Sequence, residues 1–138
     1  MTVVEPSLRR VHVKDVMHTG ILTTDPQTPL RTVAAMMAER HIHAVGVSTP
    51  DHARRPMAFV SAQDVVAAAA QDKDMTAGRA SDTEVVAIPT DARVDEAAQK
   101  MLDHGVSHLI VVESASGHPC GIISALDIVG AYGVHANG

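Results

Sequence analysis

Two short stretches carry the residues best suited to chemistry: Ser124-Ala125-Leu126-Asp127 and Ser61-Ala62-Gln63-Asp64. Each follows an apolar run that reads as a buried strand, Gly121-Ile122-Ile123 in one case and Ala58-Phe59-Val60 in the other. Each precedes an apolar helix, opening Ile128-Val129 and Val65-Val66. A serine three residues before an acid at a helix start has two uses. It can form a reciprocal cap, in which hydroxyl and carboxylate satisfy two backbone N–H groups. It can also present a hydroxyl and a carboxylate to a ligand beside a helix N-terminus, which favours an anion such as phosphate. The serine can serve both ends. The two aspartates stand 63 residues apart in a chain of 138, and that self-similarity indicates two copies of one unit.

Other chemistry is poorly supported. The chain has nine histidines, and His41-x-His43, His104-x3-His108 and His118-x-Cys120 are the possible ligand pairs for a histidine-rich metal-binding protein. Gly105 interrupts the helix between His104 and His108, so their spacing does not place them on one helical face. There is no Cys-x2-Cys and no His-Glu-x-x-His. Phosphate-binding and dinucleotide-binding glycine motifs are missing, as is a Gly-x-Ser-x-Gly elbow. Ser124, Asp127 and His108 do not make a triad, because an aspartate one turn from its serine acts as a cap partner and not as the orienter of a remote histidine. The chain is not expected to be an enzyme, and no metal or required cofactor is expected.

Composition narrows the class. Hydrophobic residues make up 46%, and with no Trp, one Tyr (Tyr132) and one Phe (Phe59) the core must be aliphatic. The formal net charge of −5 and the scarcity of aromatic residues speak against a nucleic-acid partner. Cys120 is the only cysteine and reads as a small apolar strand residue; a reduced, cytoplasmic setting fits best. No apolar run approaches the ~20 residues of a membrane span, and the start, with Glu5, Arg9 and Arg10, does not resemble a signal peptide.

The elements repeat in order. Ile21–Thr24 reads as a brief strand closed by Asp25-Pro26. Thr28 as N-cap and Pro29 in the first position open a helix with Leu30, Val33, Ala34 and Met37 on one face. Ala44–Ser48 and Met57–Val60 are strands, and Ser61 opens a helix to about Gln71. After a charged joint, Gln71–Asp74, the second half repeats the pattern: a strand at Glu84–Ala87 closed by Ile88-Pro89, then a helix capped by Asp91 with Val94, Ala97, Ala98 and Met101 on its face. Gly105 ends that helix; His108–Val112 and Cys120–Ile123 are strands, Ser124 opens the last helix, and Val134–Gly138 reads as a frayed tail. Each half is strand–helix–strand–strand–helix. The expected class is α/β (α+β): two tandem units sharing a core by pseudo-twofold symmetry, since a half of this size does not close a core easily alone.

This order of elements resembles a pair of cystathionine-beta-synthase (CBS) domains, or Bateman module. The resemblance rests on Val16-Met17 through Asp25-Pro26, His41–Val45 and Met57–Asp64, then Val86–Pro89, Gly105–Val112 and Cys120–Asp127. It implies domains at 11–71 and 76–132, with tails at 1–10 and 133–138. It implies a stand-alone regulatory module binding adenosine-type ligands (AMP, ADP, ATP or S-adenosylmethionine) in the cleft between the two domains. Asp127 and Asp64 would then accept hydrogen bonds from ribose hydroxyls, with Ser124 and Ser61 facing phosphate. Thr23 and Thr24, and Ala87, Ile88 and Pro89, would hold adenine through main-chain groups and an apolar side chain. His108 and then His43 are the candidate phosphate cations, with Arg54, Arg55, Lys14 and Arg79 as alternatives. Two departures matter. Gly121 is matched by Ala58, which puts the first copy's ligand competence in question, and Met17 is matched by Ala80. A homodimer is expected from the surplus of apolar helix surface and the family's disc-shaped dimers, with an unknown protein effector as a further partner. The alternative is a structural or protein-interaction module with an empty cleft.

Overall fold

The computed structural model describes residues 8–49, 56, 58–81 and 84–136. After a 3-10 turn at Leu8–Arg10 the elements run α1 (Val13–Val16), β1 (His18–Thr19), β2 (Thr23–Thr24), α2 (Leu30–Arg40), β3 (Ala44–Val47), β4 (Ala58–Ser61) and α3 (Ala62–Ala70). They continue with α4 (Ala77–Ala80), β5 (Ala87–Pro89), α5 (Val94–His104), β6 (His108–Val112), β7 (Pro119–Ser124) and α6 (Ala125–Ala136). The two copies are therefore β2-α2-β3-β4-α3 and β5-α5-β6-β7-α6, a mixed α/β fold of two tandem units.

The compact units do not follow the repeat boundaries. One unit is built from the chain up to Gly20 together with Val86 onward; the other is Ile21–Val85. Each has its own sheet. The first has four strands in the order β1-β7-β6-β5, and the second has three, β2-β3-β4. In each copy the leading strand is parallel to the next and the following pair is antiparallel, β5–β6–β7 and β2–β3–β4.

Hydrogen bonding explains the exchange. Val13 N–H donates to the Ala92 carbonyl at 2.8 Å, Lys14 N–H to Thr90 at 3.1 Å, and Val94 N–H to Val11 at 2.9 Å. Val13 is fully buried with Val86, Ile88, Ala97, Met101, Leu109, Val111 and Ile123. In the other unit α4 does the same work. Leu30 N–H donates to Met75, Ala77 N–H to Thr28 and Gly78 N–H to Pro26, each at 2.8 Å. Ala77 and Ala80 join Leu30, Val33, Met37, Val45, Val47 and Val60 in that core. Each short helix thus completes the unit of the other copy, not of the copy it precedes.

These contacts correct the expected helix starts. The residue flanking α2 is Pro29, with no side-chain cap, and Thr28 instead uses its hydroxyl with Thr24 at 2.9 Å. The residue flanking α5 is Arg93, not Asp91, and its N–H donates to Glu96 Oε1 at 3.2 Å. The Met75 and Val11 carbonyls accept from the first N–H of α2 and α5, one of the donors each helix start leaves open. Strand β5 lies at Ala87–Pro89 in place of the expected Glu84–Ala87; Pro89 is tolerated because β5 is an edge strand. The last helix runs to Ala136, past Val134.

The copies end their first helices alike. Gly105 adopts a left-handed conformation (φ 64°) after α5, and His41 adopts the same one (φ 55°) after α2. Glycine takes this conformation without the Cβ clash that histidine suffers. His41→Gly should therefore raise the unfolding free energy by about 1 kcal/mol, read in urea titration.

Gly121 is dictated by a strand. A Cβ there would collide with the His18 carbonyl oxygen, because β1 runs against β7 with Thr19 opposite Gly121. Ala58, its counterpart, lies on β4, which ends its three-stranded sheet. Among the described residues no further strand pairs with that edge of β4. Gly121→Ala should cost roughly 1–3 kcal/mol by overpacking, while Ala58→Gly should stay within about 1 kcal/mol; chemical unfolding of the two variants checks both.

Candidate functional site

Both Ser-x-x-Asp stretches fold as reciprocal caps. At α6, Ser124 N–H donates to Asp127 Oδ2 at 2.8 Å and Asp127 N–H donates to Ser124 Oγ at 3.1 Å. At α3, Ser61 N–H donates to Asp64 Oδ2 at 2.8 Å and Asp64 N–H to Ser61 Oγ at 3.3 Å. The next N–H in each helix is also engaged, Ala125 with the Ser107 carbonyl at 2.8 Å and Ala62 with the His43 carbonyl at 2.9 Å. Little of the helix N-terminus is left for an anion beyond the N–H groups of Leu126 and Gln63. A bound phosphate would have to lean on side-chain cations.

The pleat decides what shares a face with these caps. Directly paired residues point to the same side of a sheet. His18 pairs with Ile122, Ile122 with Ile110, Ile110 with Ala87, and His108 with Ser124. These residues make one face of the four-stranded sheet, and Leu109, Val111 and Ile123 face the core on the other. In the three-stranded sheet the corresponding face holds Thr23, Gly46, Phe59, Ala44 and Ser61.

The adenine candidates divide accordingly. Ile88 is buried in the core, so it offers no side chain to a ligand, and Ala87 and Pro89 are the exposed members of the triplet. Thr24 occupies the position equivalent to Ile88 and is tied to Thr28, leaving Thr23 on the cap-bearing face. The Leu22 and Thr24 carbonyls accept from Gly46 of β3 and from Ser48 just after it, and the Val86 carbonyl accepts from Ile110 of β6. The alternate residues, Thr23 and Ala87, therefore turn their own N–H and C=O toward the outer sheet edge. There the Ala87 carbonyl accepts from Lys100 Nζ.

The two histidines are not equivalent. His108 is buried at the start of β6, opposite Ser124, with its Nδ1 2.9 Å from Ser107 Oγ. Ala44 stands opposite Ser61 in the other copy. His43 is exposed and matches Ser107, since both lend a carbonyl to a helix start. Lys14 and Arg79 are exposed on α1 and α4, and Arg54 and Arg55 lie outside the described residues.

One residue escaped the motif reading. His18 Nε2 lies 2.8 Å from Asp127 Oδ1, with the histidine side chain 75% exposed and the aspartate 12%. The signal would have been pairing of the short segment before Gly20 with the last strand, which no periodicity in two residues reveals. No cluster of three or more His, Cys, Asp or Glu able to hold a metal occurs among the described residues. Burial, and then the charge of Glu113, push the Cys120 thiol up from its ordinary value; it donates to the Val111 carbonyl at 3.5 Å, as a protonated strand residue would. Among the described residues no helix is long and apolar enough to cross a membrane.

The family profile described as "CBS domain" matches residues 13–71 and 77–133. The chain belongs to the CBS-domain family. No curated protein sequence matches it. The CBS domain pair of protein MJ0100, solved with 5′-methylthioadenosine and S-adenosyl-L-methionine, superposes with a TM-score of 0.77 at 22% identity, covering 90% of this chain and 97% of that one. CBS domain protein PAE2072 from Pyrobaculum aerophilum, complexed with AMP, gives 0.74 at 24% identity over 85% and 89% of the two chains. The CBS domain of a bacterial CNNM/CorC family Mg2+ transporter, in complex with ATP, gives 0.72 at 15% identity over 90% and 88%. Identities this low establish the shared fold.

The caps have a measurable weight. Ser61→Ala and Ser124→Ala should each lower stability by about 1 kcal/mol through loss of an N-cap acceptor, and thermal unfolding of the single variants checks this.

Proposed function

We propose that this CBS pair is a regulatory module that binds an adenosine-containing ligand. In this reading the Asp127 and Asp64 carboxylates accept hydrogen bonds from ribose hydroxyls. The outward backbone groups of Ala87 and Thr23 meet the base edge, with Pro89 and Ala87 as its apolar neighbours. His108 and His43, with Lys14 and Arg79, are the candidates to balance phosphate charge. The observation that carries the reading is the repeated placement of a capped carboxylate on one sheet face with outward edge backbone, in both copies. The complexes with AMP, ATP and S-adenosylmethionine in proteins of the same fold support it.

The ligand acts by changing packing within the protein or its hold on another chain, and no turnover is involved. The single cysteine suits a reducing compartment such as the cytoplasm. We further propose a homodimer. Leu126, Val129 and Tyr132 are all exposed and recur every three residues along α6, making an apolar stripe that a second copy would cover. Light scattering at micromolar concentration should give about twice 14.5 kDa, and Val129→Glu should return the mass to that of one chain.

A thermal-shift screen with AMP, ADP, ATP, S-adenosylmethionine, NAD and divalent metals tests the ligand class. At least one adenosine-containing compound should stabilise the protein, and Asp127→Ala should weaken its binding roughly 10–150-fold through loss of charged hydrogen bonds. Stabilisation by metals alone, or by none of these compounds, would contradict the proposal and favour an interaction module.

A further inference from the structure

Asp127 already has a partner where a ribose would sit. Its Oδ2 is held in the helix cap by Ser124 N–H, and its Oδ1 is met by His18 Nε2 at 2.8 Å. The aspartate side chain is 12% exposed, whereas the imidazole over it is 75% exposed. A diol needs acceptor positions on this carboxylate, and the imidazole covers the oxygen that the cap leaves open. His18 itself sits on a segment held firmly by backbone. It pairs with Ile122, and Gly20 N–H donates to the Cys120 carbonyl at 2.9 Å. Only its side chain is at liberty to move.

The other copy carries a different residue at the matching position. The shift that matches Met17 to Ala80 matches His18 to Ser81, whose hydroxyl donates to the Gly78 carbonyl at 2.9 Å.

We propose that His18 is a selectivity residue for the Asp127 site: its imidazole competes with ligand hydroxyls for Oδ1 and must swing aside when a ribose binds. The inference rests on the adenosine reading above. The competition weakens the Asp127 site for diol-bearing ligands. Compounds lacking the diol do not call for the displacement.

Calorimetric titration of the full chain with AMP and with 2′,3′-dideoxy-AMP, in the parent and in His18→Ala, tests it. The alanine variant should bind AMP roughly 3–10-fold more tightly, with the dideoxy compound unchanged. Unchanged or weaker AMP binding would overturn the proposal, and so would equal tightening for both compounds, since hydroxyl competition would then play no part. A ligand-independent readout separates this from failure of the adenosine reading. The His18 imidazole 15N resonances of the empty protein should shift on Asp127→Asn, and a spectrum that does not respond removes the contact on which the proposal stands. If that response is present but neither AMP nor the dideoxy compound binds either protein, the adenosine reading fails and the competition falls with it.

Discussion

The turn from the last strand of each copy into its last helix depends on one reciprocal pair of hydrogen bonds. Serine and aspartate satisfy each other's backbone N–H groups, so the chain leaves the sheet at a set angle and the carboxylate stays at the sheet face. A polar side chain withdrawn from water needs partners, and the cap supplies local ones to both Asp127 and Asp64. The cap holds one oxygen of each carboxylate; for Asp127 the other is left to His18.

Much else follows from the exchange of short helices. Each copy's three main strands and two helices leave an open side, where backbone carbonyls and apolar side chains want partners. Val13 in one unit, and Ala77 with Ala80 in the other, fill it. The exchange supplies a backbone acceptor to the first N–H of α2 and of α5. It also adds β1 to the four-stranded sheet, which forces glycine at position 121 and brings His18 to Asp127.

The repeat, the order of its elements and the helix faces were legible in the sequence because they are local and periodic. Leu30, Val33 and Met37, and Val94, Ala97 and Met101, are buried as their spacing implied. The Ser-x-x-Asp caps were legible for the same reason. What was not legible depends on partners distant in sequence. Thr28 and Asp91 looked like caps, but carbonyls from Met75 and Val11 reach the helix starts first. Ile88 was placed against a ligand by resemblance, and the pleat sends it to the core. His18 carried no signal, since a strand of two residues has no period to read.

The central claim is that the Asp127 carboxylate is more than a cap, and Asp127→Asn addresses it most directly. Asparagine keeps the size and an acceptor for Ser124 N–H, while it loses the charge and one acceptor oxygen. Melting of the empty variant should match the parent closely, and calorimetry with the best adenosine ligand should show an affinity about 10-fold or more weaker. Parent-like affinity in that variant would mean that Asp127 serves the helix alone, and would contradict the account.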